Sequence, residues 1–514
     1  MLALALAFAL LAPAPAAAAT VDVVAYDEAG RMLDTDAFLR HIARAEFAAE
    51  GAPVDRSGLY LYDPEGAPAP GRPWWVATST TPRWRWSGTE RVAVSLPWPV
   101  PGDGFSTVIL DGDGTGYGDG ETIILNEAAA KGAWRRFREA CERRARDFDP
   151  PFKPDEGFRK AEARAKADLV AAQSASDGRE RGMLFDRALA SISSAWHTMI
   201  FEHGRQIAKH GQAGKALRYG LTLDESLVDR LSDHAWVADK TAAAGADWVR
   251  LVFRTQGDDL LFAKPASFAL YDGIVRELKK RKLRIMGSPL DSALWPRGLT
   301  PEAYAERTRN LALHYKDSIR SWEVASEPNG SWLGGWRTPL PDETVLAAVN
   351  AGAAEVKKVD PALETVGTLY WWEGTAHDDA HPLFAWLRWA QPRGFGKDLD
   401  IVALSVFPDE NPLGLAFDPV FARLARRFPD KKLMLGSFGF VEGAELKGYW
   451  WLEPGAVDEP RKDVVVLFTG EACALPQGVG GGFFFATLEQ MLGAGKKATP
   501  LYALQRMTFK RFQR

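Results

Sequence analysis

The sequence predicts an α/β protein in which residues 213–514 form a (β/α)8 TIM barrel, preceded by a β-rich, sandwich-like module and a helical connector. From residue 213 onward, apolar strand-like runs alternate with helical segments, and eight such units in about 300 residues fit the usual size of this barrel. Residues 20–130 contain short strands bounded by Gly and Pro, whereas residues 131–212 are charged, Ala-rich and spaced like helices. A chain of 514 residues has room for two or three domains.

The barrel strands are predicted from short apolar runs that follow helical segments. The eighth strand is either Val464–Phe468 or Gly481–Phe485. The other seven predicted strands are Leu217–Leu221, Asp247–Phe253, Leu283–Gly287, Ile319–Ala325, Glu364–Tyr370, Asp400–Val406 and Lys432–Leu435.

The N-terminal module is predicted from five short strands separated by turn residues, a pattern typical of a sandwich or jelly roll. One predicted helix, Asp36–Glu50, interrupts them. The five strands are Val21–Tyr26, Leu59–Tyr62, Trp74–Thr78, Val92–Leu96 and Ser106–Leu110. The connector is expected to consist of helices over Lys131–Asp147, Gly157–Ser174 and Arg179–His210.

The first residues resemble a secretory signal. The apolar run Leu2–Leu11 is too short to span a bilayer, and small residues after it end in Ala17-Ala18-Ala19-Thr20, an A-x-A cleavage pattern. Residues 1–19 are therefore predicted to be a signal peptide and the protein to be secreted or periplasmic. No later segment is apolar enough to span a membrane, so no membrane span is expected.

Charge and cysteine content limit the partners and cofactors. The net charge of −4 gives no basic excess for binding nucleic acid. Eight scattered histidines lack metal-ligand spacing, and neither a transition metal nor a cofactor is predicted. Two cysteines, Cys141 and Cys473, do not make a disulfide scaffold, and the sequence leaves open whether they pair or stay as thiols.

The segment Asp111–Asp119 is rich in Asp and Gly and has two interpretations. Alternate oxygen ligands with Gly116 at the turn suit a calcium loop, but the twelfth position is Thr122 where that loop needs Glu. The pattern favours an Asp/Gly hairpin turn.

The fourth predicted strand ends in a candidate catalytic carboxyl. Active sites of these barrels lie at the C-terminal ends of the strands. The run Trp322-Glu323-Val324-Ala325-Ser326-Glu327-Pro328-Asn329 places Glu327 there, directly before a proline. Cleavage of a glycosidic bond needs a carboxyl that protonates the leaving oxygen. Glu327 is also open to a plainer interpretation, as a capping or salt-bridging residue.

Three segments of residues 213–514 resemble the clan A retaining glycoside hydrolases. The run WEVASEPN at 322–329 resembles the motif whose second Glu is the acid/base, which implies that role for Glu327. The run AGADWVRL at 244–251 is similar to the segment whose Arg supports the carboxylates, here Arg250. The run LMLGSFGF at 433–440 is similar to the strand-seven segment whose Glu is the nucleophile, and this position is Ser437.

The chain departs from the family pattern at three positions. Ser326 replaces the Asn that binds the sugar 2-hydroxyl, and Phe407 lies where the family often has Tyr or His. Ser437 carries no charge to stabilise an oxocarbenium-like transition state. Three glutamates near strands seven and eight could supply a substitute carboxylate: Glu442, Glu445 and Glu471.

Aromatic residues follow several predicted strands and suit stacking against the apolar faces of sugar rings. Trp371 and Trp372 are the best candidates for such a platform, and Ser326, Asn329 and Phe407 complete the predicted substrate contacts. The remaining tryptophans of the predicted rim are Trp332, Trp336, Trp450 and Trp451. About half of these six tryptophans are expected to pack in the core or loops.

The leading hypothesis is an exported glycoside hydrolase-like protein that acts on or binds a carbohydrate, with Glu327 as acid/base. The first alternative is a catalytically inactive carbohydrate-binding protein, which Ser437 favours. The second is another hydrolase or lyase that uses Glu327 with a carboxylate elsewhere. Glu327, Arg250 and Ser437 are expected to converge at one mouth of a closed barrel.

Overall fold

The structure is a computed structural model that describes most of the chain. The described residues are 18–44, 58–62, 69, 73–76, 80–102, 104–211, 217–224, 233–373, 376, 378–440, 458–480, 482–484, 491–493 and 497–513.

Eight parallel strands form a closed barrel in the C-terminal part, as the alternating pattern predicted. The last strand closes the ring, because Phe484 pairs with Phe438 on one side and with Leu221 on the other. The strands are β8 (Gly220–Leu223), β9 (Trp248–Val252), β10 (Arg284–Ser288), β11 (Ser321–Ser326), β12 (Glu364–Tyr370), β13 (Ile401–Val406), β14 (Lys432–Phe438) and β15 (Phe483–Phe484).

One helix follows each barrel strand and covers the outside of the sheet. The structure also decides the eighth strand: Phe483–Phe484 is the strand, whereas 464–468 lies inside a helix. The covering helices are α5 (His234–Ala243), α6 (Ala269–Lys280), α7 (Pro301–His314), α8 (Asp342–Val359), α9 (Leu383–Ala390), α10 (Phe417–Arg427), α11 (Asp458–Cys473) and α12 (Pro500–Gln513).

Side chains fill the barrel below its mouth. A cluster separate from the outer helix–sheet core contains Trp248, Met286, Val366, Ala403 and Met434, from five different strands. Neighbours of these residues along the strands, such as Val249 and Leu251, belong to the outer core. This alternation is expected of barrel strands and makes the interior a packed core rather than a pore.

The N-terminal module is β-rich, as expected, but its strands form two separate sheets. The side chain of Phe38, from helix α1 (Thr35–His41), contacts Trp84 of one sheet and Trp98 of the other. Helices therefore pack in the same core as both sheets. The predicted two-sheet sandwich is not confirmed. One sheet has the order β3 (Trp74–Trp75), β4 (Arg83–Ser87), β1 (Ala18–Val24), β7 (Thr122–Ile124), and the other β2 (Tyr60–Tyr62), β5 (Ala93–Val100), β6 (Gly104–Leu110).

The predicted connector contains three long helices, α2 (Leu125–Asp147), α3 (Glu156–Ser174) and α4 (Gly178–Gly211). A buried ion pair links α2 to the barrel: Arg144 Nη2 donates to Asp418 Oδ1 of α10 at 2.5 Å. Arg144 Nη1 also donates to the Ala474 carbonyl at 2.9 Å. Helix α2 is therefore joined to the barrel by buried polar contacts.

Cys141 and Cys473 are both free thiols. In the Asp111–Asp119 loop, Asp111 accepts hydrogen bonds from Arg135 and Arg136, and Asp119 accepts one from the Thr20 backbone N–H at 2.8 Å. These contacts favour the turn over the calcium loop.

The predicted signal-peptide cleavage after Ala19 falls within β1, whose Val21 and Val23 are fully buried. No helix among the described residues is both long and apolar enough to cross a bilayer.

We expect Asp418→Asn to lower the free energy of unfolding by about 3–5 kcal/mol, because it leaves buried Arg144 without its charge partner. The measurement is urea unfolding of the full chain. The control is Glu156→Gln, which breaks the exposed Lys160 pair and should cost less than about 1 kcal/mol. Equal losses in the two variants would contradict a structural role for the Arg144–Asp418 contact.

Candidate active site

A cavity of about 620 Å³ opens at the C-terminal ends of the barrel strands. It brings together Arg250, Glu327 and Ser437, the three residues expected to converge. Other predicted site residues in its lining are Ser326, Trp372 and Phe407. Among the described residues, four carboxyl groups line this cavity: Asp291, Glu323, Glu327 and Glu410.

Arg250 of β9 holds two of these carboxylates. Its Nε donates to Glu323 Oε2 at 2.8 Å, and its Nη2 donates to Asp291 Oδ2 at 2.8 Å. Burial opposes the charged guanidinium, but the charges of Glu323 and Asp291 outweigh that effect and raise the pKa of Arg250. Glu323 is fixed further by the Thr368 hydroxyl at 2.6 Å. These three charged groups form a rigid base for the cavity.

Glu327 stands just after β11 in an uncommon backbone conformation. Its φ is 50°, in the left-handed region that costs a residue with a Cβ about 1–2 kcal/mol. The register of β11 against β12 also shifts between Glu323 and Ala325, an irregularity of the kind that redirects side chains near active sites. The Glu327 backbone N–H donates to the Thr368 carbonyl at 2.7 Å, which holds this turn in place.

The Glu327 carboxyl is set up to hold a proton near neutral pH. Ser292 Oγ donates to its Oε2 at 2.6 Å. Burial, with the nearby negative charge of Asp291, raises the pKa of Glu327 from 4.5 to about 7, although the Ser292 hydrogen bond and Arg250 act in the opposite direction. A carboxyl with such a pKa is suited to general acid catalysis.

Ser437 lies on β14 at the position that the family resemblance implies for the nucleophile. It is 4% exposed, and its hydroxyl has no hydrogen-bond partner among the described residues. Nη1 of Arg250 is likewise without a partner there. Arg250 therefore forms ion pairs with Asp291 and Glu323 and none with position 437.

Glu410, in the loop after β13, occupies another part of the cavity. Its Oε2 accepts a hydrogen bond from the Tyr370 hydroxyl at 2.6 Å, and Asn411 Nδ2 donates to the same hydroxyl at 2.8 Å. Burial, with the charges of Glu410 and Glu327, raises the pKa of Tyr370. Tyr370 therefore stays protonated and available as a donor.

Aromatic side chains form one wall of the cavity around Tyr370. The Trp332 ring lies 5.0 Å from Tyr370 and 5.3 Å from Trp372, measured between centroids, and Phe407 stacks on Tyr370 at 6.3 Å. Trp336, whose ring is 5.6 Å from Trp332, is 65% exposed. This wall offers flat apolar faces at the entrance and is suited to sugar rings.

Two predicted substrate contacts lie outside the lining. Asn329 is fully buried, and its side chain exchanges two hydrogen bonds with the Tyr370 backbone at 2.9 and 2.7 Å. Trp371 is 2% exposed, and its indole N–H donates to the Pro412 carbonyl. Both residues support the C-terminal end of β12 without lining the cavity.

The proposed substitute carboxylates are only partly described. Glu442 and Glu445 lie outside the described residues, as do Trp450 and Trp451. Glu471 is buried in α11 and does not line the cavity.

Three of the four cavity carboxyls were not predicted as site residues from the sequence: Asp291, Glu323 and Glu410. Asp291 and Glu410 each come within a few residues of the end of a predicted strand, which is a usable signal. Arg44, which follows α1, also lines the cavity and was not foreseen, because nothing in the sequence brings the N-terminal module to the barrel mouth.

No family profile matches this sequence, and no curated protein matches it. Solved structures similar to the chain include β-glucuronidase 2 of Bacteroides uniformis, at 10% identity and a TM-score of 0.42, over 58% of this chain and 35% of that one. Fpglu1 of Fervidobacterium pennivoraus has 13% identity and a TM-score of 0.40, over 55% and 84%. A β-glucosidase of Thermotoga maritima has 12% identity and a TM-score of 0.40, over 55% and 87%. The chain thus spans about a third of the β-glucuronidase.

The raised pKa of Glu327 has a consequence for stability. Its charged form is disfavoured in the folded state, so its contribution is fully present below pH 4.5 and is lost as the pH rises through about 7. Glu327→Gln removes this loss. We expect the stability of the variant relative to wild type to rise by about 3 kcal/mol between pH 4.5 and 7.5 and then level off. Urea unfolding at pH 4.5, 6, 7.5 and 8.5 measures it, and a pH-independent difference would contradict the assignment.

Proposed function

We propose that the protein is a glycoside hydrolase that cleaves carbohydrate in the barrel cavity, with Glu327 as the proton donor to the leaving oxygen. The observation that carries the proposal is the placement of Glu327 at the mouth of the barrel. There a carboxyl with a pKa of about 7 stands beside ion-paired Asp291 and faces a cavity with an aromatic wall.

The chemistry of the cavity supports hydrolysis of a glycosidic bond. Breaking this bond requires a proton for the leaving oxygen and negative charge near the positively charged sugar ring of the transition state. Glu327 supplies the proton, and the carboxylates of Asp291 and Glu323 supply fixed negative charge. The aromatic wall, through exposed Trp336 and partly exposed Trp332, would hold the sugar rings in place.

A second candidate function is carbohydrate binding without catalysis. Ser437 favours it, since a retaining mechanism needs a nucleophilic carboxylate at that position. In such a protein the aromatic wall would still bind sugar, but Glu327 would no longer donate a proton to a leaving group.

We also propose that the protein acts outside the cytoplasm. The support is the apolar run Leu2–Leu11 with the A-x-A pattern that follows it. Fractionation of cells that produce the full chain, with N-terminal sequencing of the mature protein, tests this proposal; a mature chain that begins at Met1 in the cytoplasm would contradict it.

We expect Glu327→Gln to reduce kcat on 4-nitrophenyl and phenyl glycosides by a factor of about 10²–10⁴, with a smaller loss on the 4-nitrophenyl substrates, whose leaving group needs less protonation. The matched control is Ser437→Ala. It should keep kcat within about threefold of wild type, because Ser437 supplies no carboxylate.

The opposite pattern would favour the binding protein. In that case wild type shows negligible turnover, and Ser437→Glu creates activity by restoring a carboxylate that can accept a hydrogen bond from Arg250 Nη1. Sugar binding, measured by tryptophan fluorescence, would then be similar in both forms.

A further inference from the structure

We infer that Glu410 is the second catalytic carboxylate of the cavity and acts as the general base of an inverting hydrolysis. This inference rests on the proposed function. It gives the site a complete pair of carboxyls without any role for Ser437, and it makes the stereochemistry of the reaction predictable.

The four carboxyl groups among the described lining residues differ in their partners. Asp291 and Glu323 are both ion-paired with Arg250, with side-chain exposures of 10% and 1%. Each of these two carboxylates is thus already engaged by the guanidinium. With Glu327 assigned as the acid, Glu410 is the remaining group.

Glu410 itself lies in an environment that suits a base. It is partly exposed in the cavity, and no lysine, arginine or histidine of the described chain pairs with it. One oxygen, Oε2, is fixed by the Tyr370 hydroxyl at 2.6 Å. The other oxygen, Oε1, accepts no hydrogen bond from a described residue. The carboxylate is therefore oriented by one oxygen and open to a water molecule at the other.

Glu327 and Glu410 follow strands that lie close together in the barrel. Glu327 follows β11 and Glu410 lies in the loop after β13, with β12 between them. Neighbouring strands are about 4.8 Å apart, so the ends of β11 and β13 stand roughly 10 Å from each other along the barrel wall. Both side chains line the cavity above these strand ends. An inverting pair needs roughly 6.5–9.5 Å to leave room for water, whereas a retaining pair needs about 5 Å.

Glu410 is held in place by its own loop and by β12. Its backbone N–H donates to the Phe407 carbonyl at 3.0 Å. Tyr370 stands at the end of β12, where its backbone is fixed by Asn329. Tyr370 thus serves as a positioning residue for Glu410.

The reaction balances with these two groups and one water molecule. As the water oxygen bonds to the anomeric carbon, its proton passes to the Glu410 carboxylate. The bond from the anomeric carbon to the leaving oxygen breaks, and its electron pair stays on that oxygen, which takes the proton of Glu327. The sugar product has the inverted anomeric configuration, and the two carboxyls exchange protonation states before the next turnover.

The test compares wild type with Glu410→Gln, Glu327→Gln and the control Glu343→Gln, an exposed carboxylate in the first turn of α8. We expect Glu410→Gln to lower kcat by a factor of about 10²–10⁴ on both 4-nitrophenyl and phenyl glycosides, because a good leaving group cannot replace a missing base. Glu343→Gln should match wild type. Proton NMR of the fresh product should show inversion.

Tyr370→Phe provides a second variant that changes only the hydroxyl. It should lower kcat by about tenfold with little change in KM, since it frees Glu410 without altering the aromatic wall. Unfolding curves like that of wild type show that each variant is folded.

The outcomes separate the two proposals. If wild type is active and Glu327→Gln impairs it while Glu410→Gln does not, or if the product retains its configuration, the assignment of Glu410 is overturned and the proposed function stands. If wild type hydrolyses none of the glycosides, both are overturned.

Discussion

The buried guanidinium of Arg250 is the group on which the rest of the barrel mouth depends. It lies inside a low-dielectric barrel, where an unpaired charge would be costly, and it is paired with Glu323 and Asp291. One positive and two negative charges leave a net negative charge at the base of the cavity. Burial, and after it the charge of Asp291, makes ionisation of Glu327 unfavourable near neutral pH, while Arg250 acts in the opposite direction.

The position of Glu327 depends on backbone geometry as much as on charge. A left-handed φ and an irregular β11 register turn its side chain into the mouth, and the hydrogen bond from its backbone N–H to Thr368 holds the turn. Strain of this kind persists only where the surroundings fix it, and it tends to occur at functional sites. The packed interior beneath, with Trp248 and Met286, supplies that rigidity.

The N-terminal half of the chain is joined to the barrel by buried polar contacts and reaches the cavity itself. Arg144 joins a long helix to Asp418 of the barrel, and Arg44 lines the same cavity as Arg250. The N-terminal part of the chain therefore contributes to the shape and charge of the cavity. A substrate that extends out of the barrel would meet residues of both parts.

The sequence by itself determined the barrel and placed one residue, Glu327, at its mouth. The alternation of apolar runs and helices predicted eight strand–helix units because each strand must bury both faces, and the WEVASEPN run identified Glu327 at a strand end. Periodicity alone could not separate 464–468 from the true last strand, since short apolar runs fit a buried helix as well as a strand. Only the tertiary structure decided which carboxyls share the cavity. Asp291, Glu323 and Glu410 come from three different strand–loop segments, and their meeting depends on the closure and register of the barrel, which no local pattern encodes. It likewise decided that Asn329 and Trp371 serve the scaffold, because the direction of each side chain at a strand end is set by its packing partners rather than by its residue type.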